Sequence, residues 1–151
     1  MEDKIMEEIQ RMRSQIKDTF ITRSINENDW STLVSWWKWW RWPEPERSFL
    51  PENATGGLMV EKNSIPIVAG FIYTTNSSVA LLEWIVSNPE YKEKDRKEAI
   101  ELLINEAEDI IKKQGYKYIF SMGRNKQLLD IHENLGWDID KKVSHEIIKK
   151  L

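Results

Sequence analysis

Leu81-Leu82-Glu83-Trp84-Ile85-Val86-Ser87-Asn88-Pro89-Glu90-Tyr91, then a charged run, then Ala99-Ile100-Glu101-Leu102-Leu103, decides the fold. An apolar run rich in Ile, Val and Trp suits a strand buried on both faces. Pro89 has no N–H to give to a ladder, so the strand ends there. Lys94-Asp95-Arg96-Lys97 opens a helix expected from about Asp95 to Gln114, with Ile100, Leu103, Ile104, Ala107, Ile110 and Ile111 on its apolar side and Gly115 closing it. The unpaired N–H groups of a first helical turn, together with the helix dipole, favour an anion. A strand that runs into a helix start flanked by Lys and Arg is therefore a candidate diphosphate site.

Outward from this stretch, Met1 to about Asp18 reads as a helix, with Ile5, Ile9, Met12 and Ile16 at helical spacing. It is read as packed on its own domain, with a short dimerisation seam as the alternative. Phe20–Ile25 alternates and reads as a first strand, and Asn28 or Asp29 caps a helix from Trp30 that runs through the tryptophans to stop at Pro43. Leu58–Glu61 and Pro66–Tyr73 are a second and third strand, turning through Lys62-Asn63-Ser64 and Thr75–Ser78 into the fourth as an antiparallel meander. Tyr116–Phe120 is a fifth strand. The strand–helix–strand crossover makes strands four and five parallel neighbours. Asn125 to Gly136 is a further amphipathic helix, and Trp137 to Leu151 is expected to hold a final strand pair.

At 151 residues, 31% of them charged and 40% apolar, the chain has the size and composition of one soluble globular domain. A net charge of −3 gives no global argument for nucleic acid binding. The absence of cysteine excludes disulfides, thiolate catalysis and Cys-ligated zinc, and with only two histidines no metal is expected. The charged N-terminus does not suit a signal peptide, and no apolar run approaches a membrane span, so a cytoplasmic protein is expected.

The order of elements resembles the GNAT family of acetyl-CoA-dependent N-acetyltransferases, over about Phe20 to Leu151. The family ends its fourth strand near Val-x-Pro; here Val86-Ser87-Asn88-Pro89 is one residue longer. Its coenzyme turn, Arg/Gln-x-x-Gly-x-Gly/Ala, aligns with Lys94-x-x-Lys97-x-Ala99, with Lys97 where the glycine would stand. Asn125-x-x-Leu128-x-x-Ile131-His132-Glu133-x-Leu135-Gly136-Trp137 matches the family's Asn-x-x-Ala-x-x-Leu-Tyr-Glu-x-x-Gly-Phe position for position, with His132 for the tyrosine. The Trp-rich first helix and glycine-poor turn look most like the family's bacteriophage-encoded members.

The resemblance implies a single α/β domain over residues 1–151. Its mixed sheet is mostly antiparallel, with strands four and five parallel and helices on both faces. It also implies that acetyl-CoA lies between strands four and five. A strand-four backbone N–H from Trp84 to Ser87 would meet the thioester carbonyl, which puts Ile85, Val86 and Ser87 against the coenzyme. Lys92, Lys94, Arg96, Lys97 and Ala99 would form the diphosphate turn, and Asn125 would contact the pantetheine arm. The bland reading of the charged run is a solvated face, since Glu93, Asp95 and Glu98 are mixed into it.

Glu83, in the middle of an apolar run, must be paired or carry a raised pKa. It is read as the general base on strand four, or as a structural ion-pair partner. His132 is read as the acid that protonates the leaving thiolate, imidazolium being competent near neutral pH, or as an ordinary helical histidine.

Five of the eight tryptophans fall between Trp36 and Trp42, and no one helix face takes them all. Trp36, Trp39 and Trp40, with Tyr73, are candidates for an acceptor wall favouring a cationic amine. Core packing, nucleobase stacking beside Lys38 and Arg41, and a membrane surface are the other readings. The expected function is acetyl transfer from acetyl-CoA to a primary amine of a small molecule or peptide, by direct attack in a ternary complex. The alternative is a GNAT-fold binding protein that does not catalyse, an acyl-CoA sensor or a protein or nucleic-acid interaction module. A homodimer is open on either reading.

Overall fold

The computed structural model describes residues 2–17 and 19–151. In chain order the elements are α1 (Glu2–Lys17), β1 (Phe20–Ser24), α2 (Trp30–Trp39), β2 (Gly57–Lys62), β3 (Ile65–Tyr73), β4 (Val79–Ser87), α3 (Arg96–Lys113), β5 (Tyr118–Phe120) and α4 (Lys126–Asn134). They form one five-stranded sheet in the order β1-β2-β3-β4-β5. β1 to β4 are antiparallel neighbours, and β4 and β5 are parallel, as the crossover through α3 requires.

Each face of the sheet carries its own core. On one side Val60, Ile67, Val68 and Leu82 pack with Leu103 and Ile104 of α3. On the other, Met59, Ala69, Phe71 and Val86 pack with Leu33, Trp36 and Trp37 of α2. β4 thus contributes to both, as its continuous apolar sequence predicts. The sheet is close-stacked at Gly57, where a Cβ would stand 2.2 Å from the carbonyl oxygen of Gly70.

The two ends of α2 differ from the sequence reading. Asn28 does not cap it, and Asp29 makes no side-chain cap bond to α2. A 3-10 turn, Glu27–Asp29, precedes the helix, and Asn26 caps that turn by accepting from the Asn28 N–H while Asp29 accepts from the Asn26 N–H. Asp29 is claimed by Arg23, which donates two bonds to its carboxylate at 2.8 and 2.9 Å. At the other end α2 stops at Trp39, short of Pro43. Arg41 takes a left-handed conformation, φ 62°. The Arg41 N–H then reaches the Lys38 carbonyl and the Trp42 N–H the Trp37 carbonyl. This is a Schellman closure with arginine in the glycine position, at a cost of about 1–2 kcal/mol.

The expected final strand pair is not formed: among the described residues, 137–151 contain no strand. β5 offers only three residues as a template, and Val143, Ile147 and Ile148 lie exposed beyond it. The expected packing of the first helix on its own domain also does not hold for the described side chains, since Ile5, Met6, Ile9 and Met12 are all exposed. Met1, Asp18 and the side chain of Ile16 lie outside the described residues. Among those described, no helix is long and apolar enough to cross a membrane.

Candidate active site where two parallel strands part

β4 and β5 pair only over Val79–Leu81 and Tyr118–Phe120. Beyond Leu81 β4 keeps β3 on one side and, among the described residues, has no strand on the other. The ladder to β3 is interrupted at the same place. Phe71 opposes Glu83 and Ala69 opposes Val86, so three steps on β4 span two on β3. This is a bulge, and Trp84 within it has φ 58°. A left-handed conformation is costly for an aromatic residue and persists only where packing enforces it. Here the rings of Trp37, Phe49 and Trp42 meet Trp84 edge-on at centroid distances of 5.7, 5.9 and 6.3 Å. A bulge re-aims the side chains and backbone groups that follow it.

Glu83 reaches across the opening. Its Oε1 accepts the backbone N–H of Met122, just past β5, at 3.0 Å. Burial is the main cause that pushes its pKa up to about 7; the Met122 N–H opposes the rise and the charge of Glu146 adds to it. A carboxyl group titrating near 7 is an effective proton acceptor at neutral pH.

Tyr73 lies close enough to this carboxyl to feel its charge. Tyr73 donates its OH to the Phe49 carbonyl at 3.1 Å, and its pKa is pushed up to about 12, chiefly by burial. Trp40 donates Nε1 to the Ser87 carbonyl at the end of β4 at 2.9 Å and stacks edge-on with Trp39, which is 60% exposed. Trp36 is buried in the core and cannot line an open site. The packing of Phe49 and Trp42 on the Trp84 ring was not read from the sequence, where Trp84 stood only as a candidate backbone donor. Trp42 carried a signal, as one of the five clustered tryptophans, whereas Phe49 in its loop and the φ of Trp84 carried none.

The candidate coenzyme residues fall at the far end of β4 and the start of α3. Val86 and Ala99 have their side chains in the cores, and Ile85 packs against one. Lys97 lies 3.7 Å from Glu101 on its own helix. Asp95, at the α3 N-cap position, makes no cap bond and instead takes Lys62 Nζ at 2.8 Å and the Tyr91 hydroxyl at 2.6 Å. The backbone N–H groups of Lys97 and Glu98 find no acceptor among the described residues, nor do the side chains of Lys92, Lys94 and Arg96. A groove of about 800 Å³ lies alongside, lined by Lys62, Lys92 and Lys94 and also by the carboxylates of Glu90, Glu93 and Asp95, the last of them paired with Lys62. Free backbone donors with unpaired cations are a donor set that fits a diphosphate.

Asn125 caps α4, its Oδ1 accepting from the Gln127 and Leu128 N–H groups. His132 is buried, donates Nδ1–H to the Leu128 carbonyl at 2.8 Å, and packs edge-on against Trp137 at 4.7 Å. Its Nε2 is enclosed without a hydrogen-bond partner. Burial holds its pKa below the ordinary 6.5, so the ring is neutral at pH 7. The folded state therefore binds fewer protons here than the unfolded state just below pH 6.5. Stability from this residue is complete above that value and is lost as pH falls through the lower folded pKa. Glu83 acts in the opposite sense over the same range, so the effect is read as a difference: in urea titrations the stability of the wild type relative to His132→Phe is expected to fall from pH 7 to pH 5.

No family model matches the sequence, and no curated protein is significantly similar to it. Solved structures do match. A GCN5-related N-acetyltransferase from Ralstonia eutropha JMP134 superposes with a TM-score of 0.59 at 14% identity, covering 85% of this chain and 99% of that one. AAC(6')-Iy, in complex with the bisubstrate analogue CoA-S-monomethyl-acetylneamine, gives 0.60 at 15% identity over 88% of this chain and 100% of that one. The ribosomal-protein-S18-alanine N-acetyltransferase from Escherichia coli gives 0.62 at 15% identity over 78% and 77%. The fold is that of the GNAT acetyltransferases.

Proposed function

We propose that the chain transfers an acetyl group from acetyl-CoA to a primary amine, with the opening between β4 and β5 as the reaction site. The observation that carries this reading is Glu83, held across that opening with a pKa near 7. When bound, acetyl-CoA would supply the thioester carbonyl as electrophile. Lys92, Lys94 and Arg96, with the N–H groups that open α3, would hold its diphosphate. Backbone N–H groups after the Trp84 bulge would polarise the carbonyl, which is worth about 3–4 kcal/mol per donor in acyl transfer.

Glu83 takes a proton from the acceptor ammonium, directly or through water, and frees the nitrogen lone pair for attack. That first proton passes to solvent; Glu83 then takes the second proton from the nitrogen of the tetrahedral adduct and would return it to the departing sulfur, so one proton is released per turnover and no second acid is needed. His132, neutral and enclosed, acts as a positioning residue for α4. Trp42, Phe49, Tyr73 and Trp84 form the acceptor side and, with Glu83, favour a cationic amine.

Calorimetric titration with acetyl-CoA and with free coenzyme A tests the coenzyme half, and thiol release in the presence of an amine panel tests the transfer. Saturable heat with both coenzymes is expected. A folded protein that gives no heat defeats the reading. Each of Lys94→Ala and Arg96→Ala is expected to weaken coenzyme binding roughly tenfold, since a hydrogen bond to a charged group is worth about 1.5 kcal/mol or more. The exposure of Trp39, Trp42 and Phe49 favours one second reading, a non-catalytic binding module that uses this ring face. Coenzyme binding without turnover of any amine would select it.

A further inference from the structure

We propose that α1 is a dimerisation element that pairs antiparallel with α1 of a second copy of the chain. In the described part of the helix the apolar side chains face solvent: Ile5 is 54% exposed, Met6 60%, Ile9 38% and Met12 56%. Ile5, Ile9, Met12 and Ile16 follow one another in steps of four, three and four residues. That is the alternation of a two-heptad seam, which keeps one stripe on the partner. A helix of 16 residues is marginal in water without packing, and this one has β-branched residues at three of its four seam positions. The seam needs a cover.

The charges say what covers it. The first half of the helix carries Glu2, Asp3, Glu7 and Glu8 against a single Lys4, and the second half carries Arg11, Arg13 and Lys17 with no acid. A second copy laid antiparallel sets the acidic half of each helix against the basic half of the other. Parallel pairing stacks like on like, and the four acids oppose an anionic membrane surface. In the antiparallel arrangement Ile9 of one copy falls opposite Met12 of the other, and Ile5 opposite Ile16.

This inference is independent of the catalytic reading and is tested on the full chain by sedimentation velocity over a concentration series. The wild type is expected to move from the 18.0 kDa monomer to twice that mass as concentration rises, less readily at high salt. Ile5→Asp with Ile9→Asp is expected to give a monomer at every concentration, with the near-ultraviolet spectrum of the tryptophans unchanged. A chain with Glu7→Lys and Glu8→Lys is expected not to self-associate, but to pair with one carrying Arg11→Glu and Arg13→Glu. Because the chain has no cysteine, orientation can be read by cross-linking. Asp3→Cys chains are expected to cross-link with Lys17→Cys chains and not with each other.

A wild type that stays monomeric overturns the proposal, as does a dimer that survives Ile5→Asp with Ile9→Asp. Loss of thermal stability in that double variant without a change of mass overturns it in favour of packing on the chain's own domain. Sedimentation with phosphatidylcholine–phosphatidylserine vesicles in place of self-association overturns it in favour of a lipid surface.

Discussion

Glu83→Gln is expected to lower kcat by about 10²- to 10⁴-fold, the contribution of a positioned general base, while coenzyme affinity changes little. The pH profile supplies the second readout. A base must be ionised to act, so kcat/KM of the wild type is expected to rise through about pH 7 and level off above it. The glutamine variant loses that limb. Stability moves in the opposite sense. With a folded pKa near 7 against an ordinary 4.5, the native state binds the extra proton, so stability is fully present below pH 4.5 and declines as pH rises through 7. The glutamine variant, neutral throughout and able to accept the same Met122 N–H bond, is expected to be at least as stable as the wild type at pH 8. A residue whose replacement lowers activity while sparing or raising stability serves chemistry at the expense of the fold. If glutamine instead lowered stability and left kcat intact, Glu83 would be structural and the base would lie elsewhere.

Legibility of this site from sequence follows how local each cause is. The parallel pairing of β4 and β5 was readable because a strand, a proline, a long helix and another strand permit one handed crossover. The importance of Glu83 was readable because a carboxylate inside an apolar run is costly in any fold. Its length of reach was not, since Met122 is brought to it only by the parting of the strands. The φ of Trp84 is set by three rings from α2 and from the loop after it, none of them near in sequence. The tryptophan cluster divided as its helical spacing required, with Trp36 and Trp37 buried and Trp39 exposed. Which of the rings would face the site depended on where α2 stopped. A left-handed Arg41 decided that, where proline two residues later was the visible signal. The last fifteen residues were read as a strand pair, but a strand exists only through its ladder, and the three residues of β5 offer few partners.

Asp29→Ala is expected to cost about 3 kcal/mol of unfolding free energy, because it breaks a buried ion pair and leaves the cation in place. The carboxylate is 8% exposed and accepts two bonds from Arg23 and one from the Asn26 N–H. Removing it deprives the turn before α2 of half its capping box, worth about 1 kcal/mol of the total. Arg23 keeps its 3.1 Å bond to Glu61, which holds the loss below the upper end for such pairs. Asp29→Asn, which can still accept from Asn26, is expected to lose less. The Arg23 guanidinium and the Asn26 N–H hold the Asp29 pKa below the ordinary 3.8, although burial opposes them. Its contribution is therefore present above that value and is lost as pH falls through the folded pKa. This window lies below that of His132, and the two contributions are separated by comparing the pH dependence of the wild type with those of Asp29→Asn and His132→Phe. The network ties β1 and β2 to the start of α2, and α2 with the loop after it carries the rings that hold Trp84. Asp29→Ala is therefore expected to raise KM for the amine while leaving coenzyme affinity, governed by the other end of β4, unchanged. Urea unfolding and calorimetry on the same variant separate these effects. A stability loss under about 1 kcal/mol, the range of exposed pairs, would mean that Arg23 is satisfied by Glu61 and solvent alone.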